Sequence, residues 1–403
     1  MAYDPKNFIQ LLIMAVKNGV SDIHLRAGER PYFRMGGHLK SIKANPLSEN
    51  DMRVICSVVI DDKSKLKDFA NFKEYDCSYQ YKNICRVRVN YLRFQGKSAL
   101  IMRVINMQIP TIDKLGLPDN VRQIAEARRG LVLVTGVTGS GKSSTLAALL
   151  EEINSSREEH ILTIEDPVEF LFTSKKCRIT QRELGADTDS FKDALRGALR
   201  QDPDIIVIGE MRDSETIQIA LKAAETGHLV FGTVHTTNAA STVNRVVSMF
   251  PSEEQENIQK RLAECLHATV SQRLLPTLDN KGRVVTQEIM INTVAMQECI
   301  SGSEPLSGIY EFMEKADNMQ SFDEHLLELY KEKRISYETA LQAASSPTNF
   351  ERNLQFGGTS GEDAHQRTSR VGLESSLSLE SDEEEQEVEM EMDEDDEDMK
   401  LSI

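Results

Sequence analysis

Gly130-Leu-Val-Leu-Val-Thr-Gly136-Val-Thr-Gly-Ser-Gly141-Lys142-Ser143-Ser144-Thr-Leu-Ala-Ala-Leu-Leu150 decides the fold. An unbroken apolar run reads as a strand buried on both faces. A glycine-rich turn follows, and then apolar residues return at helical spacing. Residues 136–143 fit G-x-x-x-x-G-K-[ST] in the strand–loop–helix context that gives this pattern its meaning. Gly136, Val137, Thr138, Gly139, Ser140 and Gly141 offer backbone N–H groups to phosphate oxygens, and Lys142 adds a cation. The Ser143 hydroxyl suits Mg²⁺, and Ser144 after it completes the nucleotide-binding run. The ligand this predicts is a nucleoside triphosphate, ATP, with Mg²⁺; the motif reads phosphates rather than the base.

Outward from this stretch, apolar strands alternate with amphipathic helices: ILTIED, DALRGALRQ, DIIVIGE, TIQIALKAAETG, LVFGTVH and TVNRVVSMF. That alternation implies a doubly wound α/β domain over residues 119–293, with a parallel sheet covered on both faces. SQRLLP and GRVVTQEIMIN predict a closing hairpin. Helix-like stretches near Phe322–Tyr330 and Ser336–Ala344 make residues 294–345 a helical appendix. Upstream, Phe8, Leu11, Leu12, Ala15 and Val16 follow a helical period before strand-like runs such as CRVRVNYLRF, so residues 1–106 form a small α+β domain. Pro110, Gly116 and Pro118 mark residues 107–118 as a linker. From residue 346 periodicity stops, and residues 346–403 are expected to be a disordered acidic tail. Such a tail either only aids solubility or docks on a basic surface.

A triphosphatase needs a carboxylate at the end of a neighbouring strand, and Asp204-Ile-Ile-Val-Ile-Gly-Glu210 provides one. Gly209 stands where an Asp is usual, so Glu210 is the candidate for the Mg²⁺ shell or for orienting water. Arg212 beside it is either a charge stabiliser or a salt-bridge partner. Ile161-Leu-Thr-Ile-Glu165-Asp166-Pro167-Val168-Glu169 ends a second strand in acid. Glu165 is the candidate base at the carboxyl edge, where such sheets bind ligands, unless this is merely an acidic loop capping the next helix. His228 and His235 flank the apolar run LVFGTV and are candidates for the same site. A polar group ending a strand beside the phosphate loop can bond the γ-phosphate and report its presence. In Arg86-Val-Arg88-Val-Asn90, the basic residues share one strand face. Arg86 and Arg88, with Arg103, are candidate arginines acting in trans on a neighbouring subunit's nucleotide, or an ordinary solvated face.

The 47 basic and 64 acidic residues give a net charge of −17, yet fourteen acids fall between Glu380 and Asp398 and leave the rest near −3. A near-neutral body disfavours nucleic acid as partner. No apolar run reaches the ~20 residues of a membrane helix, and the N-terminus lacks a basic start, so the expected location is cytoplasmic. The six cysteines contain no C-x-x-C pair and predict neither zinc site nor disulfide framework.

Four blocks stand in order: GVTGSGKSSTLAA (136–148), HILTIEDPVEF (160–170), DPDIIVIGEMRDSET (202–216) and AETGHLVFGTVHTTNAAST (224–242). They resemble the Walker A motif, Asp box, Walker B region and His box of the secretion ATPase superfamily, and more closely of its type IV pilus retraction ATPases, the PilT/PilU family. The resemblance covers about residues 5–345. Ile335-Ser-Tyr-Glu-Thr-Ala-Leu and the acidic tail look more like the accessory PilU-type branch. It implies a PAS-like N-terminal domain linked to a RecA-like domain, a homo-hexameric ring, and nucleotide between subunits. It further implies ATP hydrolysis that drives pilus retraction at an inner-membrane platform protein, peripheral to that membrane, or assistance to a partner retraction ATPase. By the same resemblance Lys142 and Ser143 hold phosphate and Mg²⁺, Glu165 is the general base, Glu210 supports the metal, and His228 and His235 belong to the nucleotide site. A related secretion or DNA-translocating ATPase would share the fold.

Overall fold

The computed structural model describes residues 4–60, 66–67, 69, 71–82, 84–105 and 108–356. Two compact units divide the chain near Ile105.

The first unit contains α1 (Pro5–Lys17), β1 (Asp22–Arg26), β2 (Tyr32–Met35), β3 (His38–Ser41), α2 (Glu49–Val59), β4 (Glu74–Tyr81), β5 (Cys85–Phe94) and β6 (Lys97–Ile105). Its sheet is antiparallel in the order β3-β2-β1-β6-β5-β4. Asp4 caps α1 with Pro5 at the first position, and Phe8, Leu11, Leu12 and Ala15 go to the core at i, i+3, i+4, i+7 spacing. A reciprocal capping box between Ser48 and Asp51 starts α2. On β5, Cys85, Val87, Val89 and Tyr91 are buried and alternate with Arg86, Arg88 and Asn90, as the period of two requires. Arg103, opposite Arg88 across β5 and β6, donates through Nε to Asp22 at 3.0 Å.

The second unit begins with α3 (Ile112–Leu115) and α4 (Asn120–Ala125). Strands and helices then alternate through β7 (Gly130–Thr135), α5 (Lys142–Ser156), β8 (His160–Glu165), β9 (Arg178–Glu183), α6 (Phe191–Ala198), β10 (Ile205–Ile208), α7 (Ser214–Glu225), β11 (Leu229–Val234), α8 (Ala239–Ser248) and α9 (Ser252–Cys265). The hairpin β12 (Leu266–Pro276) and β13 (Arg283–Ile291) follows. After it come α10 (Val294–Ser301), α11 (Gly308–Met313), α12 (Phe322–Lys331), α13 (Tyr337–Ala343) and α14 (Pro347–Phe356). Sheet order is β13-β12-β7-β11-β10-β8-β9, parallel except for β13. Alternate strand residues feed opposite layers. Leu131, Leu133, Leu162, Ile164, Ile206 and Ile208 meet the α6–α9 side, while Val132, Ile161, Ile205, Val207 and Phe231 meet α3, α4 and α5. Burial on both faces is why these strands lack polar alternation.

Three expectations change. The segment 107–118 is not simply a linker: Thr111 caps α3, and Ile112 and Leu117 are buried against Val121, Leu146 and Leu149. Prolines and Gly116 punctuate this stretch but do not stop its apolar residues from joining the core. The helical appendix does not separate at residue 293 either, since Met296, Ile300, Ile309 and Met313 pack into the same core as α7 and α9. Order also extends past residue 346. Phe350 on α14 is buried with Leu326, Leu329, Ile335 and Ala340, a single aromatic anchor too short to register as a period. The remainder of the expected tail, 357–403, lies outside the described residues. The six cysteines form no disulfide.

Candidate nucleotide site

Strand β7 ends in Thr135, and the chain turns through Gly136, Gly139 and Gly141 at φ of 144°, 80° and 91°. Those angles favour glycine. Position 136 has a second reason, because a Cβ there would lie 2.4 Å from Ser140 Oγ and 2.6 Å from the Gln272 carbonyl. Lys142 opens α5 and is nearly buried; its Nζ donates to the carbonyls of Gly136 (2.9 Å) and Val137 (3.2 Å). Burial pulls its pKa down, while Glu210 and Glu169 pull it back up. The loop is thus folded around its own cation, with the N–H groups of the first turn of α5 beyond it. Ser140 Oγ is a buried hydroxyl with no hydrogen-bond partner among the described residues. Support comes from β12, where Gln272 Nε2 donates to the Ser140 carbonyl at 2.7 Å and Ser271 Oγ accepts from Thr135 Oγ1 at 3.0 Å. Sequence reading missed both residues. They sit over 130 positions downstream and carry no motif. A cleft of about 400 Å³ opens beside the loop, lined by Val137, Thr138, Leu274, Pro276, Asn280 and Arg283.

Glu210 follows β10, but β10 is not the neighbour of β7. Strand β11 lies between them. The expectation of an adjacent acidic strand is therefore corrected by one strand, about 5 Å sideways, and the residue beside the phosphate loop's strand is His235 at the end of β11. His235 Nε2 and Glu210 Oε1 lie 3.2 Å apart. Arg212 Nη2 donates to Glu210 Oε2 at 2.6 Å and holds that carboxyl below its ordinary pKa range. Arg212 is thus the salt-bridge partner of Glu210, and Asp213 caps α7 through the Thr216 N–H.

Glu165 ends β8, level with Gly209. A Cβ on Gly209 would stand 3.2 Å from Glu165 Cα and 3.2 Å from the Ile164 carbonyl, so the usual Asp would have to push this backbone aside by a few tenths of an ångström. Glu165 Oε1 accepts from Thr163 Oγ1 (2.7 Å) and Gln181 Nε2 (3.2 Å), and Oε2 from the Glu169 N–H (3.4 Å). Burial nevertheless pushes its carboxyl above the ordinary range. A carboxylate so placed is inclined to take up a proton.

His228 is not brought to this group. It precedes β11 at the opposite sheet edge, where its carbonyl accepts from Gly130 N–H and its Nδ1 lies 2.9 Å from the Ala223 carbonyl. Seven residue steps along the six-residue strand place it about 23 Å from His235. Flanking the same strand put the two histidines at its opposite ends. Arg86, Arg88 and Arg103 belong to the first unit.

Among the described residues no group of three His, Cys, Asp or Glu could hold a metal ion. The donors present, the Ser143 hydroxyl and the Glu210 carboxylate, fit Mg²⁺, which commonly binds through one or two protein oxygens plus substrate phosphates. No described helix is long and apolar enough to cross a membrane.

A family model described as type II/IV secretion system protein matches residues 6–354. The chain is 43% identical over 343 residues to the type IV pilus retractation ATPase PilT of Pseudomonas aeruginosa, covering 85% of this chain and 99% of that one. It is 36% identical over 375 residues to the type IV pilus ATPase PilU of the same organism, covering 93% and 96%. The crystal structure of the pilus retraction motor PilT with bound ADP superposes with a TM-score of 0.79 at 41% identity over 85% of this chain and 98% of that one. The ATPase DotB of Legionella pneumophila gives 0.71 at 27% identity, covering 84% and 95%.

Proposed function

The chain belongs to the type II/IV secretion system protein family, a P-loop ATPase with a RecA-like domain, and from that premise we propose that it is a hexameric motor that couples ATP hydrolysis to type IV pilus retraction. It would act from the cytoplasmic side on the inner-membrane pilus platform protein. The observation that carries this reading is the convergence of Lys142, Glu165, Glu210 and His235 at one sheet edge, in a chain 43% identical to a pilus retractation ATPase.

In this mechanism the loop N–H groups and Lys142 bind the phosphates, and Ser143 and Glu210 would hold Mg²⁺, which when bound would supply charge neutralisation for phosphoryl transfer. Glu165 accepts a proton from the attacking water, a role its raised pKa suits, because a base works best near the operating pH. His235, whose Nε2 lies 3.2 Å from Glu210 Oε1, responds to the γ-phosphate and passes its loss to the loop that follows β11. An arginine from a neighbouring subunit, drawn from Arg86, Arg88 and Arg103, completes the charge balance. His228 is given no part at its own chain's phosphate loop.

The test is the steady-state ATPase rate per subunit against protein concentration, with Lys142→Ala as blank. A rate that rises with concentration and disappears in the variant supports a ring with shared sites. A second reading, a weakly hydrolysing ring that assists a partner retraction ATPase, draws on the longer match to PilU, 93% of this chain. Retained nucleotide binding with negligible hydrolysis at every concentration would favour it.

A further inference from the structure

Glu288 on β13 is 1% exposed and belongs to no motif. Its Oε1 accepts from the Ala239 N–H at 2.6 Å, the first residue of α8, and its carboxylate is also bonded by the Ser271 hydroxyl. Ser271 is the residue that accepts from Thr135 at the root of the phosphate loop. One carboxylate thus joins β7's end, through Ser271, to the start of the helix after His235. The next N–H of α8, that of Ala240, bonds Tyr310 on α11, and the charges facing Glu288 are Arg273 of β12 and Asp323 of α12.

The segment between His235 and α8 is only Thr236, Thr237 and Asn238; the side chains of Thr236 and Asn238 are turned into the same helix start, while Thr237 is exposed. Thr236 Oγ1 and Thr242 Oγ1 lie 2.7 Å apart, and Asn238 caps α8 through the Ser241 N–H at 2.8 Å. The helix so anchored begins four residues after the imidazole. Resting on the ATPase reading above, we propose that Glu288 is a positioning residue for nucleotide hydrolysis: it fixes the first turn of α8 and thereby the His235–Asn238 loop that sets His235 against Glu210. The acceptor oxygen matters, since an N–H at a buried helix start must be paired.

Three variants test this by kcat, KM for ATP, thermal melting and affinity for a fluorescent ADP analogue. Glu288→Leu keeps the volume and removes the acceptor. Ala239→Pro removes the donor at a first helical position, where proline is welcome, behind an Asn238 whose extended backbone tolerates it. Both should lower kcat at least tenfold while KM and analogue affinity stay within threefold. Glu288→Gln, which keeps an acceptor, should stay within threefold of wild-type kcat. If Glu288→Leu does not fold, Ala239→Pro decides. Wild-type kcat in Ala239→Pro or in a folded Glu288→Leu, or an equal collapse of Glu288→Gln and Glu288→Leu, would overturn the role. Wild-type protein with no rate above the Lys142→Ala blank would instead sink the ATPase reading and this inference with it.

Discussion

His235 Nε2 stands 3.2 Å from Glu210 Oε1, although the two residues leave different strands. Parallel pairing of β10 and β11 puts their carboxyl ends side by side, and Glu210 divides its two oxygens between His235 and Arg212. Replacing His235 takes away the group that faces Glu210 Oε1. His235→Ala should therefore lower kcat about tenfold or more, with little change in ATP affinity, because Lys142 and the loop N–H groups are untouched. A wild-type turnover in that variant would disconnect His235 from the reaction.

Glu165→Gln keeps the shape that accepts from Thr163 and Gln181 but cannot take a proton. Loss of a general base typically costs 10²–10⁴-fold, so the variant should bind ATP and stall before hydrolysis. Because burial raises the Glu165 pKa, the acid limb of the wild-type kcat profile should sit above the ordinary carboxylate range and vanish in the variant. Single-turnover measurements across pH would expose a misassigned base.

Gly209→Asp restores the residue common at this place in phosphate-binding sheets, yet it should impair the protein. The new Cβ meets the Glu165 backbone at 3.2 Å, and overpacking of this kind costs roughly 1–3 kcal/mol. The expected result is a lower melting temperature together with reduced kcat as Glu165 is displaced. An unchanged or more active enzyme would show that the strand ends part easily.

Stability should depend on pH in two opposed ways. Burial pushes Glu288 up to about 7, so its contribution is complete below the unfolded value near 4.5 and is lost as pH rises through 7. His325, whose Nδ1 accepts from the Gln287 N–H at 3.0 Å, is pushed down to about 4; its contribution is complete above 6.5 and lost as pH falls toward 4. Each is worth about 3 kcal/mol over its window. The advantage of wild type over Glu288→Gln should shrink from pH 5 to 8, and that over His325→Asn should shrink from pH 7 to 4. Parallel melting curves would contradict both.

Truncation after residue 356 should leave the melting temperature unchanged, whereas truncation after residue 346 removes Phe350 from its cluster. Phe350→Ala should cost ~3–5 kcal/mol within the C-terminal helices. Equal stability of the two truncated proteins would show that α14 contributes nothing.

The glycine loop, Lys142, the acidic strand ends and the buried parallel strands were legible because each is local: glycine spacing, a period of two or 3.6, a carboxylate closing an apolar run. So was the hairpin. The lone Phe350 and the apolar Ile112 and Leu117 were not, since one or two anchors make no period. Gln272, Ser271 and Glu288 left no mark in sequence either, as their partners are fixed by pairing across 130 and 49 positions. Residue types and local periodicity alone determined that this chain carries a phosphate loop on a covered parallel sheet. Only the tertiary structure decided that β11 enters between β7 and β10, bringing His235 to Glu210 and leaving His228 at the far edge. Strand order is set by how the crossover helices pack over the sheet, a long-range balance of buried surface that no short run of residues encodes.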